Sequence, residues 1–134
     1  MLATHRCLDA FHLCMPCIDN FIHTYAGVEL RLKMHEIMTK QGYEEETGKA
    51  KITSGYNLPA KYVLHTVGPI IQWKVTQEDE NLLASCYKEC LKLAADTGVE
   101  SIAFCCLSTG VFRFPQQRAA EIATETVMQF LKKR

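Results

Sequence analysis

No apolar run in this 134-residue chain approaches membrane-spanning length, and its first residues lack the continuous apolar core of a signal peptide. Net charge is missing as well. Fifteen Lys and Arg balance fifteen Asp and Glu, so nothing draws the chain to nucleic acid or to an anionic membrane. Any anion site must therefore be local. Internal repeats, low-complexity tracts and long linkers are absent too. The expectation is one domain, residues 1–134, able to bury roughly two-thirds of its unfolded surface. An even cysteine count is also lacking: seven thiols are spread over helix, strand and loop positions of a chain that can build its own core. That usage points to reduced thiols and a cytoplasmic protein rather than a disulfide framework.

What is present centres on Ser101–Phe112. An apolar run of strand length passes into Ser108-Thr109-Gly110, and Pro115 then opens a helical pattern through Ala119, Ala123, Val127 and Phe130. In open α/β sheets, ligands sit beyond the carboxyl ends of strands, where loop N–H groups and helix N-termini carry partial positive charge. A phosphate suits such a turn. Ser and Thr hydroxyls add donors, and Gly110 lets the backbone approach a ligand or take positive φ. A plain strand-to-helix turn is the alternative, because the spacing matches no strict phosphate-loop pattern.

From Asp19 or Asn20, both good N-caps, Ile22, Ala26, Leu30, Met34 and Ile37 or Met38 signal one helix ending near Gly42. Residues 49–53 and 61–67 read as strands, and a helix is expected from about Glu80 to Thr97, with Leu83, Tyr87, Cys90, Leu91 and Ala94 inward. Together with the 101–107 strand and the last helix, the alternation predicts an α/β fold with a narrow three-stranded sheet. So narrow a sheet suggests a compact version of a larger fold, or a homodimer. Cys86 and Cys90 share an apolar helix face, His65 alternates with Val63 and Val67 as a satisfied strand histidine, and Trp73 is placed to cover an edge.

Four stretches together carry a family resemblance: Cys17–Gly27, Gly48–Thr53, Gly55–Pro69 and Leu107–Phe112. In this order the chain resembles a macrodomain, most closely the microbial zinc-dependent macrodomains that hydrolyse ADP-ribose from proteins. The resemblance implies α/β/α layers, shortened at both flanks, and ADP-ribose or a mono-ADP-ribosylated protein as partner. Ser108, Thr109, Gly110, Val111 and Phe112 would bind the diphosphate, with Cys17 and Ile18 on the facing loop. Asp19, with Asn20 beside it, would lie against the distal ribose and orient or activate water. A carboxylate there can also stabilise the cation-like state at the anomeric carbon.

The same resemblance implies zinc, with two of its three ligand positions replaced. Where the family pattern carries Cys, His and Cys, this chain has Ala10, Met15 and Cys17. His12, Cys14 and Cys17 offer a rearranged set of three N/S ligands with an open fourth position. Cys14-x-x-Cys17 as a redox pair, and cysteines without special chemistry, are the alternatives. His23, four residues after Asp19, shares its helix face and reads as packed or capping. Arg113 reads as solvated.

Overall fold

The computed structural model describes residues 2–4 and 18–133. The described elements are β1 (Leu2–Thr4), α1 (Ile18–Ala26), α2 (Val28–Gln41), β2 (Ala50–Ser54), β3 (Tyr62–Thr66), α3 (Gln77–Asp96) and α4 (Gln116–Lys132). β3 is the middle strand, with order β1-β3-β2. β1 runs parallel to it, Leu2 opposite Leu64, and β2 antiparallel, Ile52 opposite Leu64.

The period of two along β3 sends successive side chains to opposite faces, and the layers follow from that. Val63 joins Ile22, Ala26, Leu30 and Met34 of α1 and α2, whereas Leu64 joins Leu83, Cys86, Tyr87 and Cys90 of α3 and Ala119 and Ile122 of α4. Helices thus cover both faces of a mixed sheet, the arrangement expected of a macrodomain fold. The second layer is tied internally. Thr76 and Asp79 form a capping box at the start of α3, and Arg118 of α4 grips Glu80 through Nε and Nη2 at 2.7 and 2.8 Å. The cap sets the start of α3 at Gln77, ahead of the Glu80 that periodicity suggested.

The structure corrects four expectations. The helix expected from Asp19 to Gly42 is two helices, broken at Gly27, which takes φ 93°. A Cβ there would also stand 2.9 Å from Nδ2 of Asn57, whose backbone N–H donates to the Ala26 carbonyl at 3.2 Å. The inward faces were nonetheless read correctly: Ile22, Ala26, Leu30 and Met34 are buried. Asp19 and Asn20 are not N-caps, because α1 already begins at Ile18 and both lie in its first turn.

The strand expected over residues 101–107 joins no ladder among the described residues. The third strand of the sheet is β1, which pairs along one edge of β3 while β2 takes the other. Alternation survives without the ladder: Ile102 and Phe104 turn inward, with the Phe104 ring 5.2 Å from that of Tyr87, while Ser101 and Ala103 stay exposed. Trp73 covers no edge; it is 98% exposed.

Candidate functional site

Helix α1 presents the acid singled out in the sequence. Its apolar residues Ile22 and Ala26 pack on the sheet, and this rotation carries Asp19 and His23, one turn apart, into the protein as well. Nε2 of His23 lies 3.8 Å from Oδ1 of Asp19. Burial pushes the Asp19 carboxyl up from 3.8 to about 7, against the pull of the Arg31 guanidinium. Burial pulls the His23 imidazole down from 6.5 to about 4, and Arg31 adds to that fall. The Asp19 carboxyl therefore changes charge near neutral pH, which suits a group that must accept and return a proton.

Behind His23 stands His65 of β3, with ring centroids 6.3 Å apart. Thr53 Oγ1 donates to the Ser54 carbonyl at 3.1 Å, and it lies 2.9 Å from Nε2 of His65. The hydroxyl and the His65 ring nitrogen share a buried hydrogen bond. His65 is thus the satisfied strand histidine that its alternation suggested.

Asn20 stands on the more open side of the same turn, its side-chain Oδ1 accepting from Nη2 of Arg31 at 3.2 Å. Cys17, Cys14 and His12 lie outside the described residues. Among the described residues, no cluster of three or more His, Cys, Asp or Glu is arranged to hold a metal. Ile18 is exposed at the mouth of the helix.

The other expected part of the site is the loop after residue 107. Leu107 is fully buried and anchors it, and Ser108 turns the chain sharply at φ 60°. The Phe114 N–H donates to the Ser108 carbonyl at 2.9 Å and the Arg113 N–H to that of Gly110 at 3.0 Å, closing residues 108–114 into a compact loop. Of the two roles expected of Gly110, positive φ is not the one it takes. The left-handed residues of the loop are Ser108 and Arg113, and around Gly110 no protein atom comes within 4 Å of a Cβ position. Arg113 is solvated, as expected.

A second segment, which the sequence did not reveal, braces this loop. The Ile71 N–H donates to the Phe112 carbonyl at 2.9 Å, and Ser108 Oγ lies 2.1 Å from where Gly68 would carry a Cβ. Only the glycine of Gly68-Pro69 lets the two segments close. The exposed backbone of residues 109–111 is thereby held in shape. Burial, chiefly, lifts the Cys105 thiol to about 11, and the Asp19 carboxylate adds to the rise. A groove of about 690 Å³ runs on from Thr109 along α4, between Ala123 and Phe104.

Comparison with known proteins places these features in a family. The model of the family described as "Macro domain" matches residues 11–123. A protein-ADP-ribose hydrolase of Treponema medium is 65% identical over 114 residues, covering 85% of this chain and 44% of the relative. A protein-ADP-ribose hydrolase of Staphylococcus aureus is 58% identical over 127 residues, covering 94% of this chain and 47% of the relative. The chain thus spans about half the length of these curated relatives. Among solved structures, a variant of the Oceanobacillus iheyensis macrodomain with ADPR superposes with a TM-score of 0.83 at 41% identity, over 90% of this chain and 65% of that one. By the family match, these identities and this superposition, the chain belongs to the Macro domain family.

Proposed function

We propose that this chain holds ADP-ribose between α1 and the 108–112 loop, and that it belongs to a hydrolase that removes mono-ADP-ribose from modified proteins. The observation that carries the reading is Asp19: a carboxyl buried in the first turn of α1, with a pKa of about 7. The names of the curated relatives and the ADPR in the related structure supply its substrate.

In this reading the backbone of Thr109, Gly110 and Val111 receives the diphosphate, with Ser108 setting the turn and Phe112 tied to Ile71. The positive end of α1 faces the same charge. Asp19 takes a proton from the attacking water, and its carboxylate offsets positive charge developing at the anomeric carbon of the distal ribose. His23, neutral at physiological pH, packs against Asp19 without competing as a cation. Asn20 offers a carboxamide at the edge of the mouth.

For the metal we propose the rearranged set His12, Cys14 and Cys17. An imidazole and two thiolates suit Zn²⁺, whereas the Ala10 methyl and Met15 thioether that stand at the family's other ligand positions do not. Bound there, zinc would supply a Lewis acid beside α1; the roles given to Asp19 and the loop do not depend on it. A cytoplasmic setting accords with this thiol usage, and among the described residues no helix is long and apolar enough to cross a membrane.

The test is calorimetric titration of ADP-ribose into the chain, followed by release of ADP-ribose from a mono-ADP-ribosylated protein by wild type and Asp19→Ala. Saturable binding, with turnover that Asp19→Ala abolishes while binding persists, supports hydrolysis. Binding without turnover selects an ADP-ribose-binding module. A folded chain that does not bind refutes the site, and a concentration-dependent homodimer lacking any ligand response marks a structural relative.

A further inference from the structure

Among the described residues in the first turn of α1, Asn20 is the polar group that is not packed inside, and what orients it comes from another helix. Arg31 sits 11 residues on, in α2, and reaches back across the corner at Gly27 to place Nη2 3.2 Å from Oδ1 of Asn20. An arginine only donates, so the carboxamide must turn its oxygen toward α2. The NH₂ group is then left as a donor with no hydrogen bond among the described residues. The Asn20 backbone is held as well, its carbonyl accepting from Thr24 Oγ1 at 2.8 Å. The guanidinium is close enough to Asp19 and His23 to act on both electrostatically, which places it over the same turn.

We propose that Arg31 is a positioning residue: it clamps the Asn20 carboxamide with the NH₂ outward, making Asn20 a directed donor to the ligand at the mouth. This rests on the ADP-ribose reading for the identity of the ligand. A freely rotating carboxamide would present its oxygen as readily as its NH₂ and would lose side-chain freedom when the ligand binds. The clamp removes both costs before binding. Arg31 acts through Asn20 rather than on the ligand itself.

Two measurements on the intact chain test this. The first is ¹⁵N NMR relaxation of the Asn20 side-chain NH₂, identified by its loss in Asn20→Ala. It should be rigid in wild type, mobile in Arg31→Gln, and partly restored in Arg31→Lys, which keeps the charge but not the planar fork. An Asn20 amide as rigid in Arg31→Gln as in wild type overturns the clamp. The second is ADP-ribose affinity through the double-mutant cycle of Arg31→Gln and Asn20→Ala. Because the bond is exposed, Arg31→Gln should weaken binding about twofold to fivefold in wild type and not at all in Asn20→Ala. Equal losses in both backgrounds overturn the proposal, since Arg31 would then act directly. A rigid, Arg31-dependent amide in a chain that binds no ADP-ribose would support the clamp and refute the ligand reading instead.

Discussion

Replacing Asp19 by Asn should add a steep pH dependence of stability that the Asp19–His23 pair does not contribute in wild type. Unfolded, the Asp19–His23 pair has ordinary pKa values of 3.8 and 6.5; folded, they become about 7 and about 4. Between pH 4 and 6.5 the unfolded pair carries one proton, on His23. The folded pair also carries one, whether written as a neutral acid beside neutral imidazole or as an ion pair. Folding then takes up no proton from this pair, and its contribution to stability is level across the window. In Asp19→Asn only His23 titrates. Its folded pKa is depressed, so the unfolded state binds the extra proton and stability must fall as pH drops from 6.5 to about 4. At about 1.4 kcal/mol per unit, the loss is on the order of 3 kcal/mol. His23→Gln should do the reverse: a carboxyl with a raised folded pKa loses stability as pH rises from 3.8 to about 7. Urea denaturation of the three proteins at half-unit steps from pH 4 to 7.5 reads the slopes directly, and the slopes are independent of any packing cost, which shifts only the intercepts. A flat profile for Asp19→Asn would refute the account of a buried neutral histidine.

Gly68→Ala should displace the 108–112 loop, because the new Cβ meets Ser108 Oγ; a stability loss of about 1–3 kcal/mol and weaker ADP-ribose binding are expected, with Ser108→Ala in the same chain restoring much of both. Leu107→Ala, at a position with no exposed surface beneath that loop, should cost about 2–5 kcal/mol in chemical denaturation. Thr76→Ala removes the capping hydroxyl of α3 and should cost about 1 kcal/mol while leaving ADP-ribose affinity unchanged. If zinc occupies the proposed set, elemental analysis of the purified chain should find it bound, and Cys14→Ser should remove it while Cys90→Ser, altering a buried helix thiol, should not.

The helical faces were legible because burial of an amphipathic stripe is a local matter of spacing. Leu83, Tyr87, Cys90, Leu91 and Ala94 are buried on α3 as their period required, and Leu30 and Met34 remain inward although their helix is broken from α1. The small-residue turn after Leu107 was legible for a similar reason, since Ser-Thr-Gly between an apolar run and a proline restricts what the chain can do. The strand expected at 101–107 was not decided by its own residues. They are apolar and alternating enough for a ladder, yet among the described residues they pair with no strand, and the three-stranded sheet is completed by β1 instead.

The sequence alone determined the inward helical faces, the strands near residues 49–53 and 61–67, the acid at the start of α1 and the candidate anion loop, because these depend on neighbours a few positions away. Only the tertiary structure decided that Asp19 is buried enough to titrate near neutrality, that Gly68 and Ile71 hold the loop, and that Arg31 reaches Asn20. On one continuous helix, residues 11 apart would stand about 16 Å from one another, and no arginine would close that gap. The turn at Gly27, wedged by Asn57 from a loop about 30 residues away in sequence, folds α2 back and makes the contact. Desolvation and long-range bracing are properties of what surrounds a residue, and a sequence lists only what precedes and follows it.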